Sequence, residues 1–242
     1  MNMVVLIGRL VRDPSYSEVE TEKGKYHIAS FYLAVPRNFN KGVNYIKITT
    51  FGKQADFARD YLTKGKRVAD VGCDHAYISI YMMEHQIANR VIAMDINKGP
   101  LERAAANIEK YGYKEQIETR LSDGLEKVLP GEVDTMIAAG MGGGLVIKIL
   151  TEGYPVVESL DTMILQPQSE IGKVRRFLNE HNLQITEENM VEEDGKFYPM
   201  MKVIHGKKEE YTICEYTYGK RLLLEQHPVL KKYLDREMQI KE

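Results

Sequence analysis

The chain has 242 residues, with 33 Lys/Arg against 35 Asp/Glu for a net charge of −2, so it holds either one large core or an ordinary core plus a small module. Two cysteines, Cys73 and Cys214, are too few for a disulfide framework, and there is no apolar run of about 18 residues and no secretory leader pattern. These features exclude a disulfide scaffold, a membrane span and a signal peptide, and lead us to expect a soluble cytoplasmic protein. In chain order, the first three runs are "MNMVVLIGRLVRDP", "YHIASFYLAVPRNF" and "VNYIKITTFGKQ". Each is rich in β-branched and aromatic residues and bounded by Gly, Pro, Asn or Asp, which predicts strands. In the third, Tyr45, Lys47, Thr49 and Phe51 share one face and Ile46, Ile48 and Thr50 the other. Rings beside a lysine suit a single-strand nucleic-acid binder, and equally an ordinary surface strand. Residues 1 to 64 carry ten Lys/Arg against six Asp/Glu, a net of +4, leaving 23 against 29, a net of −6, for the rest.

From Lys66 the pattern turns to α/β. The runs "RVADVG", "RVIAMDI", "IETRLSDG", "VDTMIAAG" and "DTMILQP" predict strands, alternating with helices at "YISIYMMEHQIAN", "GPLERAAANIEKYG", "GGGLVIKILTEG" and "SEIGKVRRFLNEHN". That alternation predicts a parallel, doubly wound sheet. "LQITEENMVEEDGKFYPMMKVIHG" then reads as a β-hairpin around an Asp-Gly turn. Five parallel strands and a terminal antiparallel hairpin resemble the Rossmann-like class I sheet of S-adenosylmethionine-dependent methyltransferases. Ligands in such sheets bind at the carboxyl ends of the strands.

Candidate site residues fall at those ends. Asp70 and Gly72 close the first strand, and a small residue there lets the backbone pass near a ligand. Asp95 closes the second, 23 residues beyond Gly72, near the spacing at which a carboxylate takes ribose hydroxyls, with Ile96 after it. Asp123 and Gly124 close the third, where an acid can accept from an adenine amino group. Singly, each acid also suits a helix cap or a strand-end turn; three at successive strand ends suit a nucleoside with an amino-acid tail. "AAGMGGG", Ala138 to Gly144, is either a ligand loop or a tight turn, "LQPQ", Leu165 to Gln168, closes the fifth strand, and Asp74 with His75 could start a helix. There is no Cys/His cluster with zinc spacing and no P-loop, so no metal is expected.

Two resemblances add to this. "MNMVVLIGRLVRDP", "FYLAVPRNF" and "FGKQADFARDYLTKGKRV" resemble the start of the bacterial single-stranded-DNA-binding protein family, an OB-fold. The resemblance implies stacking aromatics at Phe39, Tyr45 and Phe51, with Arg9, Arg37, Lys47 and Lys53 as phosphate partners. After "GKRV" that family adds two strands that complete its barrel, and this chain instead runs into "ADVGCDHAYI". An incomplete barrel implies weak single-strand binding.

"RVADVGCDHAYI", "IAAGMGGGL", "MILQPQ" and "EDGKFYPMMKV" resemble the bacterial tRNA (adenine-22-N1)-methyltransferase family over residues 65 to 235 or so. That implies S-adenosylmethionine as cofactor, tRNA as partner and N1 of an adenine as methyl acceptor. With it come expected roles: Asp74 as the catalytic carboxylate, His75 and Tyr77 shaping the pocket, Gly140 on the cofactor side, and Met141, Gly142, Gly143, Gln166, Pro167 and Gln168 toward the substrate. The expected domains are 1–64, an OB-like module; 65–206, the methyltransferase; and 207–242, the beginning of a helical extension. "KGKRVA" suits either parent. The alternative function is a single-strand-binding protein whose methyltransferase half is inert.

Overall fold

The computed structural model describes residues 9–10, 15–21, 24–36, 43–51 and 66–241. The chain divides into two compact units, Met1–Lys66 and Arg67–Glu242.

In the first unit, β1 (Arg9–Leu10), β2 (Ser15–Thr21), β3 (Gly24–Pro36) and β4 (Val43–Phe51) form an antiparallel sheet around the long β3. β4 runs along one edge of β3, with Ile28 opposite Phe51 and Pro36 opposite Val43. β1 and β2 share the other edge, β2 from Ser15 opposite Ser30 to Thr21 opposite Gly24. Alternation along β3 buries Ala29 and Phe31. The strand β2 is a difference from the sequence expectation. "SYSEVET" is polar and its residues 17–20 are exposed, so as an edge strand it lacks the apolar face that periodicity detects.

In the second unit, the parallel strands are β5 (Lys66–Val71), β6 (Ala88–Asp95), β7 (Ile117–Leu121), β8 (Thr135–Met141) and β9 (Thr162–Pro167). The hairpin β10 (Leu183–Glu193) and β11 (Lys196–His205) completes a seven-stranded sheet of order β10-β11-β9-β8-β5-β6-β7. Asp194 and Gly195 turn the hairpin with φ of 49° and 69°, the two positive values that a two-residue turn of this hand needs.

The connecting helices are α1 (Tyr77–Glu84), α2 (Lys98–Lys110), α3 (Gly143–Glu152), the short α4 (Tyr154–Val157) and α5 (Ile171–Glu180). Period-2 alternation in β5 decides what each layer covers. Ala69 and Val71 join the core formed with α3 and α5, while Val68 joins the core formed with α1 and α2. Asp70 shares the Val68 side and is therefore buried under α1, 3% exposed.

Residues 207–242 cluster with this second unit. Their helices, α6 (Ile213–Tyr218), α7 (Lys220–Leu224) and α8 (Pro228–Lys241), pack on the hairpin through Leu222, Leu230 and Met190. A fully buried pair fastens them. Arg175 on α5 and Glu188 on β10 meet at 2.8 Å, with side chains 1% and 0% exposed. The Arg175 guanidinium also donates to the carbonyls of Tyr216 and Thr217, and the Arg221 N–H donates to Glu188. Among the described residues, no helix is long and apolar enough to cross a membrane.

Candidate active site

The carboxyl ends of the parallel strands are stitched together by backbone hydrogen bonds. The N–H groups of Gly72 and Cys73 both donate to the Met94 carbonyl at 2.8 Å, joining the end of β5 to β6. The Ser122 N–H donates to the Asp95 carbonyl, joining β6 to β7, and the Gln168 N–H donates to the Met141 carbonyl, joining β8 to β9. Strand order reverses between β5 and β8. The chain leaves β5 toward α1 on one face and leaves β8 toward α3 on the other, so the topological switch point, where sheets of this kind take their ligands, falls between these two loops.

Gly72 lies at that divide with φ of 73°, and a Cβ there would collide with the Met141 methyl. The left-handed backbone is what favours glycine here, since the Met141 side chain could move aside. Asp70, one residue inside the strand, accepts a 2.5 Å hydrogen bond from the Ser79 hydroxyl on α1. Burial pushes its carboxyl up to about 6, against the opposing effect of the Ser79 bond. Burial likewise pushes the Cys73 thiol up to about 12, so it is not a nucleophile.

Asp74 follows in the left-handed region, φ 45°, and Ala76 repeats it, φ 58°. Ala76 is the N-cap of α1 and no side chain caps that helix, so Asp74 and His75 are not a capping pair. The Asp74 side chain instead stands 61% exposed, with Oδ1 3.3 Å from Arg103 Nη2 and Oδ2 3.5 Å from His75 Nε2. The His75 ring stacks on Tyr77, centroids 5.7 Å apart, and Tyr77 is 59% exposed. These three expected catalytic residues therefore form one group after the end of β5, with Asp74 and Tyr77 exposed and His75 half-exposed.

Asp95 ends β6, and its Oδ1 accepts the Asn97 N–H at 2.8 Å, which orients the carboxylate; Ile96 between them is exposed. Asp123 and Gly124 depart slightly from expectation. β7 stops at Leu121, so both lie in the following turn, and Asp123 is held by Lys148 at 2.9 Å. The run Ala138 to Gly144 is both a strand end and a one-residue turn, since β8 ends at Met141 and α3 begins at Gly143. The Gly143 N–H donates to the carbonyl and hydroxyl of Ser169, and a Cβ there would strike the Ser169 carbonyl. Gln166 accepts the Gly140 N–H at 2.9 Å. Thus Gly140, Met141, Gly142 and Gly143 meet Gln166, Pro167 and Gln168 across the β8 and β9 ends.

Ser79, Arg103, Asn107 and Lys148 were not legible as site residues. Each sits on a helix, and only Arg103 and Asn107 carried a signal, their spacing of four. Of the nucleic-acid stacking candidates, Phe39 lies outside the described residues, as do Arg37 and Lys53 and the side chains of Arg9, Tyr45 and Phe51. Lys47 is described and exposed. Among the described residues no group of His, Cys, Asp and Glu could hold a metal.

A doubly wound sheet with a terminal antiparallel hairpin, acids at its strand ends and a switch point between β5 and β8 defines a Rossmann-like class I methyltransferase fold. The methyltransferase domain family model matches residues 53–201, and the chain belongs to that family. The single-strand binding protein family model matches residues 1–73, so residues 53–73 satisfy both models.

The tRNA (adenine(22)-N(1))-methyltransferase of Bacillus subtilis is 34% identical over 157 residues, 65% of this chain and 66% of that protein. The chain thus spans just under two thirds of this curated relative. The solved structure of the B. subtilis m1A22 tRNA methyltransferase superposes with a TM-score of 0.67 at 32% identity, covering 74% of this chain and 79% of that one. M. capricolum TrmK in complex with S-adenosyl-homocysteine gives 0.64 at 27% identity, covering 72% and 78%. At the other end, single-stranded DNA-binding protein 3 of Clostridium acetobutylicum is 45% identical over 71 residues, 27% of this chain and 47% of that protein.

Proposed function

We propose that this chain is an S-adenosylmethionine-dependent methyltransferase that modifies N1 of a tRNA adenine, at position 22 by its likeness to the B. subtilis enzyme. The observation that carries the reading is the switch point between the β5 and β8 loops, where an exposed Asp74 and Tyr77 and a half-exposed His75 follow the strand end at Gly72. The strand ends suit such a cofactor, because Gly72 turns the chain with left-handed backbone and no side chain, and Asp95 presents a carboxylate already oriented by the Asn97 N–H. Asp95 would hold the ribose hydroxyls, with Gly72 and Gly140 as close backbone and Ile96 against the base.

When bound, the cofactor supplies an electrophilic methyl group on a sulfonium. N1 of adenine lies on the Watson–Crick edge, so the base must be unpaired or extruded to reach the site. Its lone pair carries no proton, so no general base is required and the protein's task is alignment. The product ring is cationic. The Asp74 carboxylate would offset that developing charge, and the His75 and Tyr77 rings, stacked on each other, would supply a flat wall for the incoming base. Residues 1–66, similar to a single-strand binder, support an auxiliary contact with unpaired nucleic acid.

The experiment is transfer of tritium from labelled S-adenosylmethionine to bulk tRNA, followed by nucleoside digestion. Label in 1-methyladenosine is the expected result. Absence of transfer, or label in another nucleoside, refutes the proposal.

A further inference from the structure

The Asp74 carboxylate needs a fixed direction to act on a ring charge, and its own loop offers it only the neighbouring His75 imidazole, 3.5 Å from Oδ2. It is exposed, it caps no helix, and its backbone is left-handed. What holds it comes from α2. Arg103 Nη2 reaches Asp74 Oδ1 at 3.3 Å, and one turn further on Asn107 Nδ2 donates to the His75 carbonyl at 3.0 Å. Residues four apart lie on one helical face, so this stripe of α2 grips the loop at two consecutive residues. The helix is itself anchored, because Ala104 and Ile108, each next in sequence to a gripping residue, are buried in the core. It also starts directly after the Asp95–Asn97 turn. The turn that orients the acid assigned to the ribose thus leads directly into the helix whose contacts orient the acid assigned to the chemistry.

We propose that Arg103 and Asn107 are positioning residues that set the direction of the Asp74 carboxylate; the inference rests on the methyltransferase reading above. A purely structural role fits Arg103 poorly, since its side chain is 52% exposed and an exposed ion pair contributes little to stability. Its contribution lies in geometry, where a small misplacement of a reacting group lowers rate far more than it lowers stability.

The test is single-turnover methyl transfer to tRNA with Arg103→Gln and Arg103→Lys, each alone and combined with Asp74→Asn, alongside calorimetric cofactor binding. Arg103→Gln is expected to lower the transfer rate by about tenfold with cofactor affinity and tRNA KM unchanged. Arg103→Lys should recover part of that loss, and in the Asp74→Asn background Arg103→Gln should cost nothing further, because contacting residues are not additive. An unchanged rate, a change confined to tRNA KM, or the same loss in the Asp74→Asn background would overturn the proposal, the last two by showing that Arg103 acts on the RNA itself. If the wild-type chain transfers nothing to tRNA, the functional reading fails separately. Amide exchange at Ala76 and Tyr77 then decides: faster exchange in the Arg103→Gln/Asn107→Ala double variant supports the grip, and unchanged exchange overturns it.

Discussion

Replacing Asp70 by Asn should stabilise the second unit at neutral pH and leave it unaffected in acid. Asp70 is buried beneath α1, and its carboxyl is raised from 3.8 to about 6 because burial disfavours the charged form. Below about pH 3 the group is protonated in both folded and unfolded chains and contributes no difference. Between about 4 and 6 the folded chain keeps a proton that the unfolded chain has released, so stability falls as pH rises. Above about 6 both forms are ionised and the whole penalty stands, roughly two pKa units or about 3 kcal/mol. Asn keeps an acceptor for the Ser79 hydroxyl and carries no charge, so it removes the penalty. The assay is urea unfolding followed by circular dichroism in matched buffers at about pH 3 and about pH 7.5, the variant compared with wild type at each. An Asn variant that gains up to about 3 kcal/mol at the higher pH and nothing at the lower is expected. Equal effects at both pH values, or a net loss at neutral pH, would refute the reasoning. The same variant tests the proposed site: if the cofactor uses this acid, its affinity, measured by calorimetry, should fall.

Other outcomes follow from the same geometry. Asp74→Asn keeps shape and loses charge, so kcat should drop about 10²-fold with cofactor affinity little changed; normal turnover would remove Asp74 from the chemistry. Asp95→Ala should weaken S-adenosylmethionine binding by about 1 to 3 kcal/mol, measured by calorimetry. Glu188→Ala strands a buried guanidinium and should cost about 3 to 5 kcal/mol in denaturant titration, whereas Arg175→Met/Glu188→Leu together should cost much less. Oligonucleotide binding by the whole chain should be weak and salt-sensitive, with Lys47→Ala reducing it slightly; tight binding would show that the first unit works as a complete single-strand module.

The sheet was readable because buried parallel strands are short apolar runs and the intervening helices are amphipathic, and the hairpin announced itself through Asp194-Gly195. Strand β2 was not, since a polar edge strand has no buried face to report it. The strand-end acids Asp70 and Asp95 were visible as positions, but their states were not. Nothing in "ADVG" shows that Asp70 lies under Ser79, or that Asp74 would be drawn to Arg103 rather than to a helix end. Such contacts join residues 9 and 29 apart and depend on which faces the helices turn inward. Lys148 is a comparable case: its spacing matches an ordinary i,i+4 pair with Glu152, and its closer partner is Asp123.

The buried Arg175–Glu188 pair has a consequence for proteolysis. Its partners come from α5, β10 and the backbone around Tyr216 to Arg221, so the C-terminal helices share their charge balance with the sheet. A cut in the exposed stretch around Lys207 and Lys208 would sever the chain and still leave the tail held by the guanidinium, its two carbonyl acceptors and the Leu222 contacts. The nicked halves should elute together from a sizing column and separate only in denaturant. The region after Gly206 therefore belongs to the same opening unit as the hairpin, and its amides should exchange with those of β10 rather than as a frayed end.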